Sequence, residues 1–283
     1  MLTADKKILI VGLGLIGGSY AEALTRRGFD VTALTRSAES IDFALEKGII
    51  SRGFTEPCED ALSDRDIVIF CLYPRVLTAW IEKNQKYIRD GAVLTDVTGV
   101  KGAVVYKVQQ MLRPSLEFVG AHPMAGREVS GVRNADCSIF RGANYIVTPT
   151  AENTPRAVEL VEDLGRLLGF SRISVLSPEK HDEMIAFLSQ LTHCLAVSLM
   201  TCRDVEHLSA YTGDSFRDLT RIARINDEMW SELFLLNREE LLRQMDVFSS
   251  QMGILRDAVA SGDAETLKRL MRLSTERRAL FDK

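Results

Sequence analysis

Apolar residues in this chain alternate between short strand-like runs and helical periodicities as far as residue 176, and follow helical periodicity alone after it. Lys7 to Val11 is short, apolar and β-branched and is bounded by glycine, as a strand buried on both faces requires. Asp30 to Leu34, Asp66 to Leu72, Ala92 to Asp96 and Glu117 to Ala121 repeat the pattern, and Tyr145 to Thr148 and Ile173 to Leu176 predict two further strands. Helical periodicity falls between them: from Gly18 through Arg27, from Ser40 to Lys47, after Tyr73-Pro74, up to about Leu112, and from about Pro155 to Leu168. Such alternation predicts an α/β domain with a mostly parallel sheet covered on both faces. At Ser177-Pro178 an N-cap serine precedes a proline in the first helical position. Beyond it there is no further proline and no convincing strand, only long helical patterns through about Arg203, from Asn226 past Phe248, and from Asp263 to Phe281. The expected division is 1–176 and 177–283. Apolar positions such as Ile185, Phe187, Leu188 and Leu195 are too many for lone surface helices. Either the all-helical part packs on a twin subunit, or it caps its own first domain.

The first strand leads into Gly12-Leu13-Gly14-Leu15-Ile16-Gly17 and then a helix, which is the setting a G-x-G-x-x-G sequence needs to bind a dinucleotide. Gly12 allows the tight turn, Gly14 lets a pyrophosphate approach the backbone, and Gly17 lets the helix pack against the strand. The helix N-terminus then offers free N–H groups to the phosphates. The first domain therefore reads as Rossmann-like. At the end of the second strand an NAD-selecting fold usually carries an acid for the ribose hydroxyl. Here the residues are Thr35, Arg36 and Ser37. Two hydroxyls and a cation that can pair with a 2′-phosphate lean towards NADP, with NAD the alternative if Arg36 is a solvated cation stacking on adenine.

Composition narrows the class. Of the 283 residues 46% are hydrophobic and 26% charged, the balance of a globular chain with a sizeable core, and the net charge of −4 argues against nucleic-acid or anionic-membrane partners. Five cysteines form no C-x-x-C pair, which suggests reduced thiols with neither a disulfide framework nor a metal site. The apolar run Ile8–Val11 is broken at once by glycine, too short for a signal or membrane segment, so a cytoplasmic location is expected.

Chemistry gathers around one histidine. In Phe118-Val119-Gly120-Ala121-His122-Pro123-Met124-Ala125-Gly126, the proline keeps His122 out of the helical region. This predicts an imidazole on a loop at a strand's carboxyl end, where α/β folds place their reactive groups; the alternative is a surface histidine in a turn. His193 lies inside an otherwise apolar helix and reads equally as a satisfied core residue. Arg217, Arg221 and Arg224 fall on one face of a predicted helix. They form either a solvated face or a site for carboxylate or phosphate.

Four motifs in this order resemble the prephenate/arogenate dehydrogenase family of tyrosine biosynthesis, across essentially the whole chain. They are D-V-x-x-V-K at 96–101, G-x-H-P-M-A-G at 120–126, S-x-L-x-H at 189–193, and F-R-D-x-x-R at 216–221. The resemblance implies NAD(P)-dependent oxidative decarboxylation of a cyclohexadienyl substrate, prephenate or arogenate, by a homodimer. It makes His122 the catalytic histidine, Arg221 the ligand of the ring carboxylate, and His193 a holder of the substrate side chain. Glu128 and Arg217 become members of a polar gate and ionic network, and Trp230 a neighbour of the substrate. Many family members place a serine beside the catalytic histidine where this chain has Gly99. Either Thr98 supplies that hydroxyl, or His122 works without it. No regulatory or mutase segment is evident, so a monofunctional enzyme is expected, with any tyrosine inhibition acting through the substrate pocket.

Overall fold

The computed structural model describes residues 2–204 and 206–282. Eight strands form one sheet: β1 (Lys7–Val11), β2 (Asp30–Leu34), β3 (Arg52–Phe54), β4 (Ile67–Phe70), β5 (Val93–Asp96), β6 (Glu117–Pro123), β7 (Asn144–Thr148) and β8 (Arg172–Val175). Their order is β3-β2-β1-β4-β5-β6-β7-β8. The first six are parallel, whereas β7 pairs antiparallel with β6 and β8 runs parallel to β7. Strand order reverses between β2-β1 and β4, and the crevice at such a switch point is where open α/β sheets take their ligands.

Helices α1 (Leu15–Thr25), α2 (Ala38–Glu46), α3 (Glu59–Leu62), α4 (Pro74–Asn84), α5 (Gly102–Met111) and α6 (Pro155–Leu168) cover the two faces. The strands' two-residue period separates two cores. Ile8 and Ile10 of β1, with Ile67 and Ile69 of β4, join one cluster under α1 and α6. Leu9, Val11, Val68 and Phe70 join the other, under α4 and α5.

Two strand details differ from the sequence reading. β3 is a three-residue edge strand containing Gly53, too short to show a period. β6 runs on through Pro123, so His122 is not on a loop; it lies within the strand, opposite Ile146 of β7. Pro123 enforces extended backbone, and β7 supplies an antiparallel partner that continues the ladder past the point where β5 stops pairing.

After β8, Ser177 caps α7 (Pro178–Ile185) by accepting from the Lys180 amide at 3.2 Å. A π-helical turn at Ala186–Gln190 joins α7 to α8 (Leu191–Thr201). Next come α9 (Asp214–Thr220), α10 (Asp227–Leu236), α11 (Arg238–Ser261) and α12 (Ala264–Arg278). The continuous run Pro178–Thr201 is long and apolar enough by composition to cross a membrane. It nevertheless carries His181, Asp182 and Gln190, all buried and hydrogen-bonded to neighbouring elements. The single helix expected from Asn226 past Phe248 breaks at Asn237. Its buried amide donates to the Asp182 carbonyl at 3.0 Å and to Gln190 Oε1 at 2.8 Å.

A fully buried ion pair fixes the turn between β5 and α5. Lys101 Nζ lies 2.6 Å from Asp96 Oδ2, with both side chains at 0% exposure, and also donates to the Ala121 carbonyl. The Ala121 amide donates to Asp96 Oδ1 at 3.0 Å, so the pair locks β5 and β6 together. Removing one partner of such a pair leaves an uncompensated buried charge, costing about 3–5 kcal/mol. Lys101→Ala should therefore lose about that much in urea unfolding; a midpoint unchanged from the parent would show that the pair does not hold the turn.

Candidate active site

The glycine loop at the end of β1 is shaped by backbone contact. Gly12 has φ +97, donates to the Leu34 carbonyl at 2.8 Å, and would bring a Cβ to 2.3 Å from the Cys71 carbonyl oxygen. A Cβ on Gly17 would stand 1.9 Å from the Gly12 oxygen. Gly14 is different: a Cβ there would meet nothing within 4 Å. Leu13 and Leu15 are buried and Ile16 packs against the core, so this loop turns its side chains inward and leaves its backbone open. No side chain caps α1 and no acid lies in its first turn. The free N–H groups and the helix dipole there suit a pyrophosphate, so these residues fit a dinucleotide.

At the end of β2 the Thr35 amide donates to the Phe54 carbonyl, and Ser37 is the N-cap of α2, its hydroxyl accepting from the Ser40 amide at 3.1 Å. Arg36 is exposed and, among the described residues, has no ion-pair partner. Any 2′-phosphate contact would draw on Arg36 and on the hydroxyls of Thr35 and Ser37, since the Ser37 oxygen that accepts from the Ser40 amide can still donate its hydrogen.

His122 stands at the carboxyl end of the same parallel set of strands. Its Nδ1 lies 2.9 Å from His181 Nε2, and the two rings meet edge to face with centroids 5.1 Å apart. His181 Nδ1 lies 2.7 Å from Asp182 Oδ1. That carboxylate also accepts from the amides of Lys101 and Gly102, each at 2.8 Å, and so caps α5 from α7. Burial, then the charges of His181 and Lys101, push the His122 pKa well below the ordinary histidine value. Burial likewise lowers that of His181, against the opposing pull of Asp182. Both imidazoles are neutral near pH 7.

Thr98 is engaged elsewhere. Its hydroxyl bonds to Asp96 Oδ2 and to the Val100 carbonyl and receives Lys101 Nζ at 3.3 Å, so it belongs to the buried ion pair and not to the imidazole. The position facing His122 is Gly99, where a Cβ would stand 3.8 Å from His122 Cε1 and 3.6 Å from Leu233 Cδ1. His181 and Asp182 were missed from the sequence. They sit in an otherwise charged stretch near the start of α7, Glu179-Lys180-His181-Asp182-Glu183, which reads as solvated; only the Ser177-Pro178 start fixes which face of α7 turns inward.

The helical part closes the other side. Leu233 and Trp230 are three residues apart on one face of α10. Trp230 stacks on His193 with centroids 3.6 Å apart, and the His193 Nδ1 donates to the Ser189 carbonyl at 2.9 Å. Burial lowers the His193 pKa, against the hydrogen bond to the Ser189 carbonyl and the charge of Glu128, while Arg221, paired with Glu128 in an exposed ion pair, lowers it further. Glu128 lies on the segment leaving β6, so this pair bridges the two parts of the chain. His193, Trp230, Glu128 and Arg221 thus stand together, and Gly99 is the position that both Leu233 of α10 and His122 approach. Arg217 does not join them: it is exposed and turns back on Asp214 and the Thr212 carbonyl. Arg217, Arg221 and Arg224 also share no single helix face. α9 ends at Thr220, a 3-10 turn follows at Arg221–Ala223, and Arg224 is extended.

The family model described as the prephenate dehydrogenase nucleotide-binding domain matches residues 20–173, and that of the prephenate dehydrogenase dimerization domain matches residues 177–273. Cyclohexadienyl dehydrogenase of Zymomonas mobilis is 30% identical over 273 residues, covering 94% of this chain and 92% of that protein. Prephenate dehydrogenase of Bacillus subtilis is 32% identical over 279 residues, covering 96% of this chain and 75% of its own length. Among solved structures, Aquifex aeolicus prephenate dehydrogenase in complex with hydroxyphenyl propionate and NAD+ superposes with a TM-score of 0.90 at 30% identity, over 99% of this chain and 100% of that one. Synechocystis arogenate dehydrogenase gives 0.84 at 25% identity, over 98% and 100%. With an open phosphate loop and a neutral imidazole at one sheet edge, and both family domains present in order, the chain belongs to the prephenate dehydrogenase family and is an NAD(P)-dependent oxidoreductase.

Proposed function

We propose that the chain oxidatively decarboxylates prephenate to 4-hydroxyphenylpyruvate, with His122 as the base at the 4-hydroxyl. The observation that carries this is a neutral, partly buried imidazole at the carboxyl ends of the strands that also present the open Gly14 backbone. The Gly12–Gly17 loop would hold a dinucleotide whose nicotinamide would supply the hydride acceptor for the ring carbon bearing that hydroxyl. His122 Nε2 takes the hydroxyl proton as the carbon–oxygen double bond forms. When the ring carboxylate leaves as carbon dioxide, its bonding electrons enter the ring and the oxygen recovers its proton from His122, so no proton is lost overall. Arg221 receives the ring carboxylate in place of Glu128, while His193 and Trp230 line the substrate side chain; Thr98 acts only through Lys101 and Asp96. The resemblance to the Synechocystis arogenate dehydrogenase supports arogenate as the second reading.

His122→Asn should lower kcat by at least about a hundredfold with substrate KM little changed, whereas Arg221→Ala should chiefly raise KM by removing ground-state binding. Near-normal turnover by His122→Asn would overturn the assignment. Because the base works unprotonated and its pKa is depressed, kcat/KM should fall only as pH drops below about 6.5; a limb above that value would mean a different group.

Arg36, unpaired at the end of β2, supports a preference for NADP. In a steady-state matrix of prephenate and arogenate against NADP and NAD, Arg36→Ala should raise KM for NADP about tenfold, worth ~1.4 kcal/mol, and spare NAD. A parent enzyme that favours NAD reverses this reading.

The helical part also supports a homodimer. Most large apolar side chains left exposed lie beyond Leu176, and on α11 Val247 and Ile254, seven residues apart, are 61% and 46% exposed. The matched dimerization domain covers that helix. Val247→Glu combined with Ile254→Glu should shift sedimentation from dimer to monomer; an unchanged dimer would place the interface elsewhere.

A further inference from the structure

We propose that His181 and Asp182, both on α7 of the helical part, are positioning residues that fix the tautomer of His122, a role resting on the reading of His122 as the base. The chain of contacts determines each proton. Asp182 accepts from two backbone amides at the α5 N-terminus, Lys101 and Gly102, at 2.8 Å each, so it is an acceptor on every side. Facing that carboxylate at 2.7 Å, His181 Nδ1 must carry a hydrogen, since two lone pairs would otherwise oppose each other. Burial keeps His181 neutral, so its Nε2 has no hydrogen and accepts. His122 Nδ1, 2.9 Å away, therefore donates, and the lone pair of His122 is left on Nε2, the nitrogen not engaged by His181.

The surroundings admit few competing arrangements. His181 is fully buried, and Asn237 holds the Asp182 carbonyl at 3.0 Å, so α7 cannot slide along β6 without breaking both bonds. The charged and titratable groups facing the imidazole pair are Asp182 from α7 and Asp96 and Lys101 from the β5–α5 turn, the last two already bound to each other. Gly99 brings no side chain to His122, and the Thr98 hydroxyl is committed to Asp96 and Val100. Orientation of the base thus falls to His181. When the hydroxyl proton reaches His122 Nε2, the resulting imidazolium still donates through Nδ1 to His181, whose far side faces a carboxylate. The proton stays on His122 and returns to the same oxygen, so the step needs no other reactant.

The chain has four histidines, which makes nitrogen-15 NMR of the histidine-labelled full-length protein directly readable. The unaltered protein should show His122 and His181 both as neutral Nδ1–H tautomers across the active pH range. His122 as Nε2–H, or His181 without a hydrogen on Nδ1, overturns the proposal with no variant needed. His181→Asn should shift His122 towards Nε2–H and lower kcat about 10–100-fold, the scale of loss when a metal-bound histidine loses its orienting partner, with KM for substrate and cofactor within about twofold. Asp182→Asn should act in the same direction. If His122→Asn abolishes turnover while His181→Asn keeps native kcat and the native His122 tautomer, this inference fails and the base assignment survives; if His122→Asn stays active, the base assignment itself has failed.

Discussion

A single carboxylate, Asp182, ties the two parts of the molecule into one site. It projects from α7, reaches the N-terminus of α5, and satisfies two amides that would otherwise lack partners at a helix start. An anion in that position also complements the α5 dipole. The same group faces His181, and through it the imidazole at the end of β6. Without that bond α7 would still be held to α5 through Tyr106 and Glu179, but the start of α5 would no longer be tied to the His181–His122 contact. Capping and orienting are therefore one interaction seen from two sides, and the His122 imidazole is anchored through His181 to a helix start.

The strand pattern and the glycine loop were readable because each reports a local requirement. Buried parallel strands must be apolar on both faces, and a pyrophosphate turn must have glycine where Gly12 and Gly17 nearly touch neighbouring carbonyls. β3 was not readable, because three residues carry no period. Nor was the reach of β6 through Pro123, which depends on an antiparallel partner more than twenty residues later. Asn237 hid a helix break for a related reason: its side chain leaves the helix for Asp182 and Gln190, and neither partner is near it in sequence.

The site divides along the same line. His122, Arg221, His193, Glu128 and Trp230 were identified through motifs of the resembling family, and the fold brings the last four together. Helical spacing grouped Arg217 and Arg224 with Arg221, on the premise of one uninterrupted helix, and the family resemblance also drew Arg217 into the ionic network. The backbone leaves that helix at Thr220, and the shared face disappears with it. His181 and Asp182 had the opposite problem: a polar stretch at a helix start looks solvated until the surface covering it is known.

Two ion pairs of the same chemistry serve opposite ends here, and burial decides which is which. Asp96 and Lys101 are wholly out of water, so separating them would strand a charge at several kcal/mol, and no ligand could exchange with either partner at acceptable cost. Glu128 and Arg221 are 42% and 65% exposed, where a pair of this kind is worth about 0–1 kcal/mol. A guanidinium held so weakly keeps its solvation and its availability. On the proposed reading, an incoming carboxylate would displace Glu128 at little cost, because the exposed pair contributes so little. Strength of pairing therefore separates the charge that builds the β5–β6 floor from the charge that can greet a substrate, a distinction visible in neither the residue types nor their spacing.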